Sequence, residues 1–338
     1  MIGDVNQTHS VSATDIALEI AWPNLGKTDQ KIKSILLEKP ASKSTLCSKL
    51  KIAGYAAFAP ITIPLYLINK GLSKIAISNG LGDKKALKFI DKTKREALKA
   101  LGGEEVLFGF SKKTTLEGMF FEPPTALETK KTILICSGSH KSFENYTVPM
   151  VKAFLSKGFQ VMVFNYQGFG KSDGTASEAG VYKSTQAAFE YLKQVKGCKE
   201  ENIVVWGYSL GSGAATNLAS KHKVDLVIDR GFSSMSEVAY HAAPSGMGGL
   251  ARFIFRQGAD FDNLKKIQGV TGNILIAQGI YDSRMMSEYH GELLKEATSE
   301  NAKAQYLEID AGHHHTDDTL WIDDAKYIEP IQSFLTKE

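Results

Sequence analysis

The chain has 338 residues and a formal net charge of +3, with 43% hydrophobic and 23% charged residues. This composition is close to the average of globular proteins and excludes a disordered or fibrous chain. The charge is too small to predict nucleic-acid binding, since no cluster of arginines with interleaved aromatic residues accompanies it. The three cysteines stand at unrelated spacings. They predict neither a disulfide framework nor a zinc site and are typical of a reducing compartment.

The first 103 residues differ in pattern from the rest of the chain and are predicted to form a separate helical region. Apolar residues at three- and four-residue spacing predict helices over Ile16–Ile20, Ile32–Leu37 and Ala86–Leu101. The basic residues over 84–99 outnumber the acidic ones and predict a basic helix face. The N-terminus lacks the basic and apolar regions of a Sec signal, so a cytoplasmic location is expected, and export by other routes stays open.

An uncharged apolar segment, residues 52–68, interrupts this region and is bracketed by lysines. Its 17 residues are at the lower limit for a membrane span, and Pro60 and Pro64 would disrupt a straight helix. Three interpretations stay open: a buried or site-covering segment, an interfacial or re-entrant membrane contact, and a full span. With the basic stretch 84–99, the second would make the protein peripherally membrane-associated.

From residue 104 to the C-terminus, short apolar strands alternate with amphipathic helices. The first two strands form a hairpin-like pair, and the others are nearly continuous in apolarity, as parallel strands covered on both faces require. Strand, helix and strand in repetition predict an α/β fold with a mostly parallel sheet flanked by helices. The eight predicted strands are Val106–Phe110, Leu116–Phe121, Thr132–Cys136, Gln160–Phe164, Asn202–Trp206, Leu226–Ile228, Asn273–Ala277 and Gln305–Ile309. The predicted helices are Val148–Lys157, Ser177–Val195, Gly213–Lys221, Ser287–Ala297 and Ala325–Leu335.

A G-x-S-x-G sequence lies between the fifth strand and the helix that follows, with Ser209 at its centre. A strand-to-helix turn this tight holds the serine in strained geometry, and glycines on either side avoid clashes. The helix N-terminus beneath it favours developing negative charge. The motif alone could be a glycine-rich turn, but its position between strand and helix predicts a nucleophile elbow.

A serine nucleophile of this kind requires an acid and then a histidine later in the chain, each after a strand. Asp282 follows the seventh predicted strand and is the predicted acid; an N-cap role is disfavoured because the next helix begins farther on. His313 follows the eighth strand after an Ala-Gly pair and is the predicted base, with the adjacent His314 as the alternative. A metal site formed by the three consecutive histidines is disfavoured, since consecutive side chains diverge.

The oxyanion of the reaction is predicted to bind two backbone N–H groups. One belongs to Leu210, directly after the nucleophile, and the other to Ser139 in the loop after the third strand. The sequence Gly168–Ser172 suggests a phosphate-binding loop, but Asn165 stands where that motif needs glycine. It is interpreted as a loop that lines the cleft.

The stretch Asn165–Gly174, followed by Ala176–Tyr182, resembles the α/β-hydrolase superfamily. The most similar branch contains lysophospholipase-like enzymes and protein depalmitoylases, which Gly231–Ser234 and Phe261–Leu264 also resemble. The resemblance runs from about Val106 to the C-terminus. The loop that usually reads His-Gly-Asn begins Ser137-Gly138-Ser139 here, and Gln167 replaces the usual arginine.

The resemblance implies hydrolysis of acyl esters or thioesters through Ser209, Asp282 and His313, without cofactor or metal. The expected substrate is an acylated lipid or protein. A catalytically weak binding or effector-like protein is the alternative, and a peptidase or acyltransferase could use the same three residues. The sequence makes no prediction of oligomeric state.

Overall fold

The computed structural model describes residues 88–336, apart from residues 112, 126–130, 140–141, 257, 299–303 and 314–324. The apolar segment 52–68 and the predicted helices over 16–20 and 32–37 lie outside the described residues, as do residues 84–87 of the basic stretch. Among the described helices, none combines the length and apolarity that a membrane crossing requires.

Strands and helices alternate along most of the described chain. The strands are β1 Glu104–Ser111, β2 Thr114–Phe121, β3 Thr132–Cys136, β4 Gln160–Phe164, β5 Ile203–Tyr208, β6 Asp225–Asp229, β7 Ile274–Gly279 and β8 Ala304–Ile309. The helices are α1 Lys92–Ala100, α2 Glu144–Ser156, α3 Glu178–Gln194, α4 Leu210–Ala219, α5 Met235–Ala242, α6 Gly248–Arg256, α7 Asn263–Ile267, α8 Gly291–Glu296 and α9 Ala325–Thr336.

All eight strands belong to one sheet with the order β1-β2-β4-β3-β5-β6-β7-β8. The strand β2 pairs antiparallel with both β1 and β4, and every other pairing is parallel. The predicted α/β fold with an eight-stranded, mostly parallel sheet is therefore confirmed. In this order the carboxyl ends of β5, β6, β7 and β8 lie side by side at one edge, where parallel sheets bind their ligands.

Two apolar layers cover the two faces of the sheet. In β4, Met162 and Phe164 belong to one layer, and Val161 and Val163 belong to the other. This division follows from the strand geometry, because successive side chains point to opposite faces. Since both faces are covered, the central strands need apolar residues on both faces, and most of their positions are apolar.

The segment after β7 differs from its prediction as a single helix over Ser287–Ala297. A short 3₁₀ helix over Ser287–Tyr289 ends at His290, whose φ of −134° and ψ of −70° interrupt the helix before α8 begins. The His290 side chain is fully buried, so its packing outweighs the helical pattern of the surrounding sequence. The three helices between β6 and β7 were not predicted.

The helix α1 is shorter than the helix predicted over Ala86–Leu101, and it begins after the N-cap Asp91. Its Leu98 is fully buried in the core layer that includes Phe154 of α2. Its Arg95 is 6% exposed and forms ion pairs with carboxylates of β1, β2 and α2, so it is not part of a solvent-facing basic surface.

Candidate active site

The predicted nucleophile lies in a sharp turn between β5 and α4. Ser209 has φ of 50° and ψ of −119°, an unfavourable conformation for a residue with a side chain. A Cβ atom added to Gly211 would overlap the carbonyl oxygen of Cys136, and one added to Gly207 would clash with the Gly211 carbonyl oxygen. Both glycines of the motif are therefore needed, because α4 packs directly against the ends of β3 and β5.

The structure brings together the three side chains predicted to act on the substrate. The Ser209 Oγ lies 3.0 Å from Nε2 of His313, and the His313 Nδ1 lies 2.8 Å from Oδ2 of Asp282. All three residues are less than a tenth exposed. A carboxylate beside Nδ1 favours the tautomer with its proton on Nδ1, so Nε2 is left to accept the serine proton.

The carboxylate of Asp282 is held in its ionised form. Burial opposes ionisation, but the hydrogen bond and charge of His313 and two backbone N–H groups outweigh burial and lower the pKa of Asp282. Those N–H groups belong to Arg284 and Met285 and donate to Oδ1 at 3.0 and 2.8 Å. Because Oδ1 is occupied by the backbone, Oδ2 faces the imidazole.

The loops that carry the acid and the base are joined by backbone hydrogen bonds. The N–H of Ile280 donates to Ile309, and the N–H of Tyr281 donates to Ala311. The β7–β8 pairing thus continues past the strand ends, up to two residues before His313. Asp282 and His313 approach each other because parallel strands end at the same edge.

The two residues predicted to bind the oxyanion lie on either side of Ser209. Leu210 is the first residue of α4, so its N–H lies among those that have no carbonyl partner within the helix. Ser139 is half-buried and follows Gly138, at which an added Cβ would come within 3.4 Å of the Ser209 Cβ. The loop after β3 therefore passes directly beside the nucleophile.

Comparison with known proteins supports the fold independently. A solved α/β hydrolase from Vibrio vulnificus is similar with a TM-score of 0.64 at 22% identity, over 78% of this chain and 92% of that one. Protein bem46 of Schizosaccharomyces pombe is 28% identical over 160 residues, which is 46% of this chain and 53% of bem46. The described chain therefore has the α/β-hydrolase fold.

Two further similarities cover smaller parts of the chain. The family described as Chlamydia CHLPS protein (DUF818) matches residues 113–257, less than half of the chain. Lysophosphatidylserine lipase ABHD12 of Danio rerio is 36% identical over 77 residues, 23% of this chain and 20% of the lipase. The chain thus spans about half the length of bem46 and a smaller share of the lipase.

The structure also places two residues at the candidate site that the sequence analysis did not single out. The Tyr208 hydroxyl donates a hydrogen bond of 2.6 Å to the backbone carbonyl of His313. The buried guanidinium of Arg230 lies 4.7 Å from the centre of the Tyr208 ring. The sequence signal that could have revealed Arg230 is the charged pair Asp229–Arg230 at the end of an apolar strand.

A second serine–histidine contact lies deeper in the same domain. The Ser233 Oγ is 2.9 Å from Nδ1 of His290, and both residues are fully buried. Burial, reinforced by the charge of His241, lowers the pKa of His290 to about 4. Within the described residues, the Nε2 of His290 has no hydrogen-bond partner.

Proposed function

We propose that this protein is a serine hydrolase that cleaves acyl esters or thioesters through an acyl-enzyme on Ser209. The proposal is supported above all by one observation, the continuous contact from Ser209 Oγ through His313 to Asp282 at 3.0 and 2.8 Å. A nucleophile, a base and a group that orients the base are the minimum that acyl transfer by a serine requires.

In the first step, the Ser209 Oγ bonds to the carbonyl carbon of the substrate as its proton passes to Nε2 of His313. The carbonyl oxygen then carries a negative charge. When the intermediate collapses, the bond to the alcohol or thiol breaks, and that leaving group takes the proton from Nε2. Asp282 stays ionised and stabilises the imidazolium, consistent with its lowered pKa.

The oxyanion accepts hydrogen bonds from the N–H groups of Leu210 and Ser139 in this proposal. The start of α4 favours that charge through its free N–H groups and its dipole. The closeness of Gly138 to Ser209 supports a second donor from the loop after β3. Removing one donor from an oxyanion hole typically costs about 2.7–4 kcal/mol of transition-state stabilisation.

In the second step, water loses a proton to His313 Nε2 and attacks the acyl carbon. Collapse of this second intermediate breaks the bond to Ser209, whose Oγ recovers the proton. The products are a carboxylic acid and the regenerated serine. No cofactor or metal takes part in this scheme.

The substrate is proposed to be an acylated lipid or protein. The similarity to a protein named lysophosphatidylserine lipase supports a lipid ester, and the resemblance to depalmitoylases implies a thioester. A membrane contact through residues 52–68 remains a prediction. A series of p-nitrophenyl esters and acyl thioesters of increasing chain length, assayed with and without liposomes, distinguishes these substrates.

The decisive experiment is covalent labelling with a fluorophosphonate probe, which reacts with activated serines. We expect the full-length chain to be labelled and Ser209→Ala to lose labelling and esterase activity together. Ser233→Ala is the matched control, because it removes a serine that also contacts a histidine, and it should keep both. Labelling that persists in Ser209→Ala would exclude Ser209 as the nucleophile.

Labelling of the wild type without turnover of any ester or thioester would favour the alternative of a binding protein that retains the fold. Turnover of peptides or transfer to an acceptor other than water would favour a peptidase or an acyltransferase.

A further inference from the structure

A tyrosine inside the nucleophile motif contacts the predicted base. Tyr208 precedes Ser209 and is half-buried. Its hydroxyl donates a 2.6 Å hydrogen bond to the carbonyl oxygen of His313. Its ring also stacks on the His313 ring, with 5.9 Å between the ring centroids and an angle of 24° between the ring planes. One side chain thus touches both the backbone and the imidazole of the same histidine.

The hydroxyl of Tyr208 contacts the loop that carries His313 directly after a flexible residue. Among the described residues, backbone hydrogen bonds join the β7 and β8 loops as far as Ala311, two residues before His313. Gly312 then separates Ala311 from His313, and glycine is the residue with the greatest backbone freedom. The Tyr208 hydroxyl binds the His313 carbonyl directly after this glycine.

The tyrosine is itself held by a buried arginine. Arg230 is 2% exposed, and its guanidinium lies 4.7 Å from the centre of the Tyr208 ring. That guanidinium donates two hydrogen bonds to the carboxylate of Asp229, which orient it. Its Nε donates at 2.8 Å and its Nη2 donates at 3.1 Å. A bidentate pair of this type fixes the plane of the guanidinium as well as its position.

The backbone at Arg230 adopts a conformation that costs free energy. Its φ is 46°, in the left-handed region that a residue with a long side chain rarely occupies. Its N–H donates to Ala277 of β7, and the carbonyl of Asp229 accepts from the N–H of Ser209. Strain of this kind at a functional site is a reason to look for a role. Here the strained residue links the nucleophile turn with the strand that leads to Asp282.

We infer that Tyr208 and Arg230 are positioning residues, which hold His313 at the distance and orientation that proton transfer from Ser209 requires. The ring of Tyr208 packs against the imidazole of His313 and orients it, and the Tyr208 hydroxyl holds the His313 backbone. Arg230 in turn holds the Tyr208 ring in place. This inference rests on the proposed function, because it assigns a role only if His313 is the base.

The test compares Tyr208→Phe with the wild type in full-length protein, using a p-nitrophenyl ester that the wild type hydrolyses. The change keeps the ring and removes the hydroxyl. We expect kcat to fall about tenfold while KM stays within about twofold, because small displacements of a base slow the chemical step more than binding. Active sites counted by fluorophosphonate titration should remain equal to the wild-type number, so the loss is a loss per folded site.

The matched control is Tyr182→Phe. Tyr182 is also half-buried, and its hydroxyl donates a 2.7 Å hydrogen bond to Glu178, in helix α3. This variant loses a comparable hydrogen bond without touching His313, so its kcat should equal that of the wild type. An equal loss in both variants would overturn the inference and point to a general effect on folding.

The role of Arg230 is tested by a double-mutant cycle of Arg230→Lys and Tyr208→Phe. Lysine keeps the charge but lacks the planar group that pairs with Asp229 and lies over the ring. We expect Arg230→Lys alone to lower kcat several-fold and to add little once the Tyr208 hydroxyl is gone. Full multiplicativity of the two losses would show that Arg230 does not act through Tyr208.

The two proposals fail in different ways. A wild-type protein that neither reacts with fluorophosphonate nor hydrolyses any ester contradicts the proposed function. A wild type that does both, together with a Tyr208→Phe variant of unchanged kcat, contradicts the positioning role alone.

Discussion

Two serine–histidine pairs lie near the carboxyl edge of the sheet, and their contact distances are almost the same. The Ser209 Oγ is 3.0 Å from His313, and the Ser233 Oγ is 2.9 Å from His290. Distance therefore does not distinguish a candidate catalytic pair from a structural one. The surroundings of each histidine do.

The histidine of the first pair has a carboxylate on its second nitrogen, whereas no carboxylate of the described residues bonds the second nitrogen of His290. Asp282 bonds Nδ1 of His313, which leaves Nε2 to face Ser209. In the second pair Nδ1 faces the serine, and the Ser233 hydroxyl also donates to the carbonyl of Tyr289 at 2.9 Å. The neutral form of His290 is favoured by burial, since its pKa falls to about 4. Such an imidazole is a weak proton acceptor at neutral pH.

The largest effect is expected from Asp282→Asn, which removes what distinguishes the first pair. The side chain keeps its size, but it can no longer stabilise the imidazolium or impose the tautomer on His313. We expect kcat to fall about 10⁴-fold, because an imidazole in the wrong tautomer cannot accept the Ser209 proton on Nε2. Hydrolysis of a p-nitrophenyl ester measures the change.

The control for this prediction is Asp310→Asn, which alters an exposed aspartate in the loop that carries His313. Its turnover should remain within about twofold of the wild type. A similar collapse in both variants would mean that loop charge, rather than the Asp282–His313 contact, governs activity.

The second prediction concerns His290 and the pH dependence of stability. Because burial lowers the pKa of His290 from 6.5 to about 4, the unfolded chain binds more protons than the folded protein between those values. The free energy of unfolding should therefore rise with pH across this window, by roughly 3 kcal/mol for this group. The nearby charges of His241 and His313 oppose protonation of His290, and that of Asp282 favours it.

Urea denaturation from pH 4 to pH 7 measures this slope in the wild type and in His290→Gln. The substitution removes the titrating group, so the variant should show a smaller rise in stability over the same range. Equal slopes in the two proteins would contradict the assignment of this pH dependence to His290.

The smallest effect is expected from Ser233→Ala. The change removes a buried hydroxyl and leaves the Tyr289 carbonyl without its donor, so the free energy of unfolding should fall by about 1 kcal/mol while kcat is unchanged. Ser156→Ala is the control, since Ser156 also donates to a carbonyl, that of Ala153, but is exposed. Its stability should stay near that of the wild type, and a loss of turnover in Ser233→Ala would give the second pair a catalytic role.

Much of the fold could be predicted from the sequence because its signals are local. The bounds of β3 and β4 match their predictions, since continuous apolar runs between polar residues identify buried strands. Ser209 could be singled out because the steric demands of its turn leave glycines at fixed offsets. The interruption at His290 could not be predicted, because it depends on burial against residues distant in the chain.

The two partners of Ser209 could be predicted from the sequence only in part. Asp282 and His313 were singled out by their place after the last two strands, which the rules for parallel sheets make meaningful. The three consecutive histidines are equivalent as local sequence, however, so the pattern left His314 open. His314 lies outside the described residues, whereas His313 lies within reach of both Ser209 and Asp282.

The sequence by itself determined the order of the eight strands along the chain, the nucleophile turn and the kind of residue that must follow the last two strands. These depend on backbone sterics and on apolar periodicity, which act over a few residues. Only the tertiary structure decided which contacts those residues make. It shows that Tyr208 turns toward His313, that Arg230 lies against Tyr208, and that, within the described part of the chain, one serine–histidine pair has an acid while the other has none. Such contacts depend on how the loops at the edge of the sheet pack together, and that packing joins residues that are far apart in the chain.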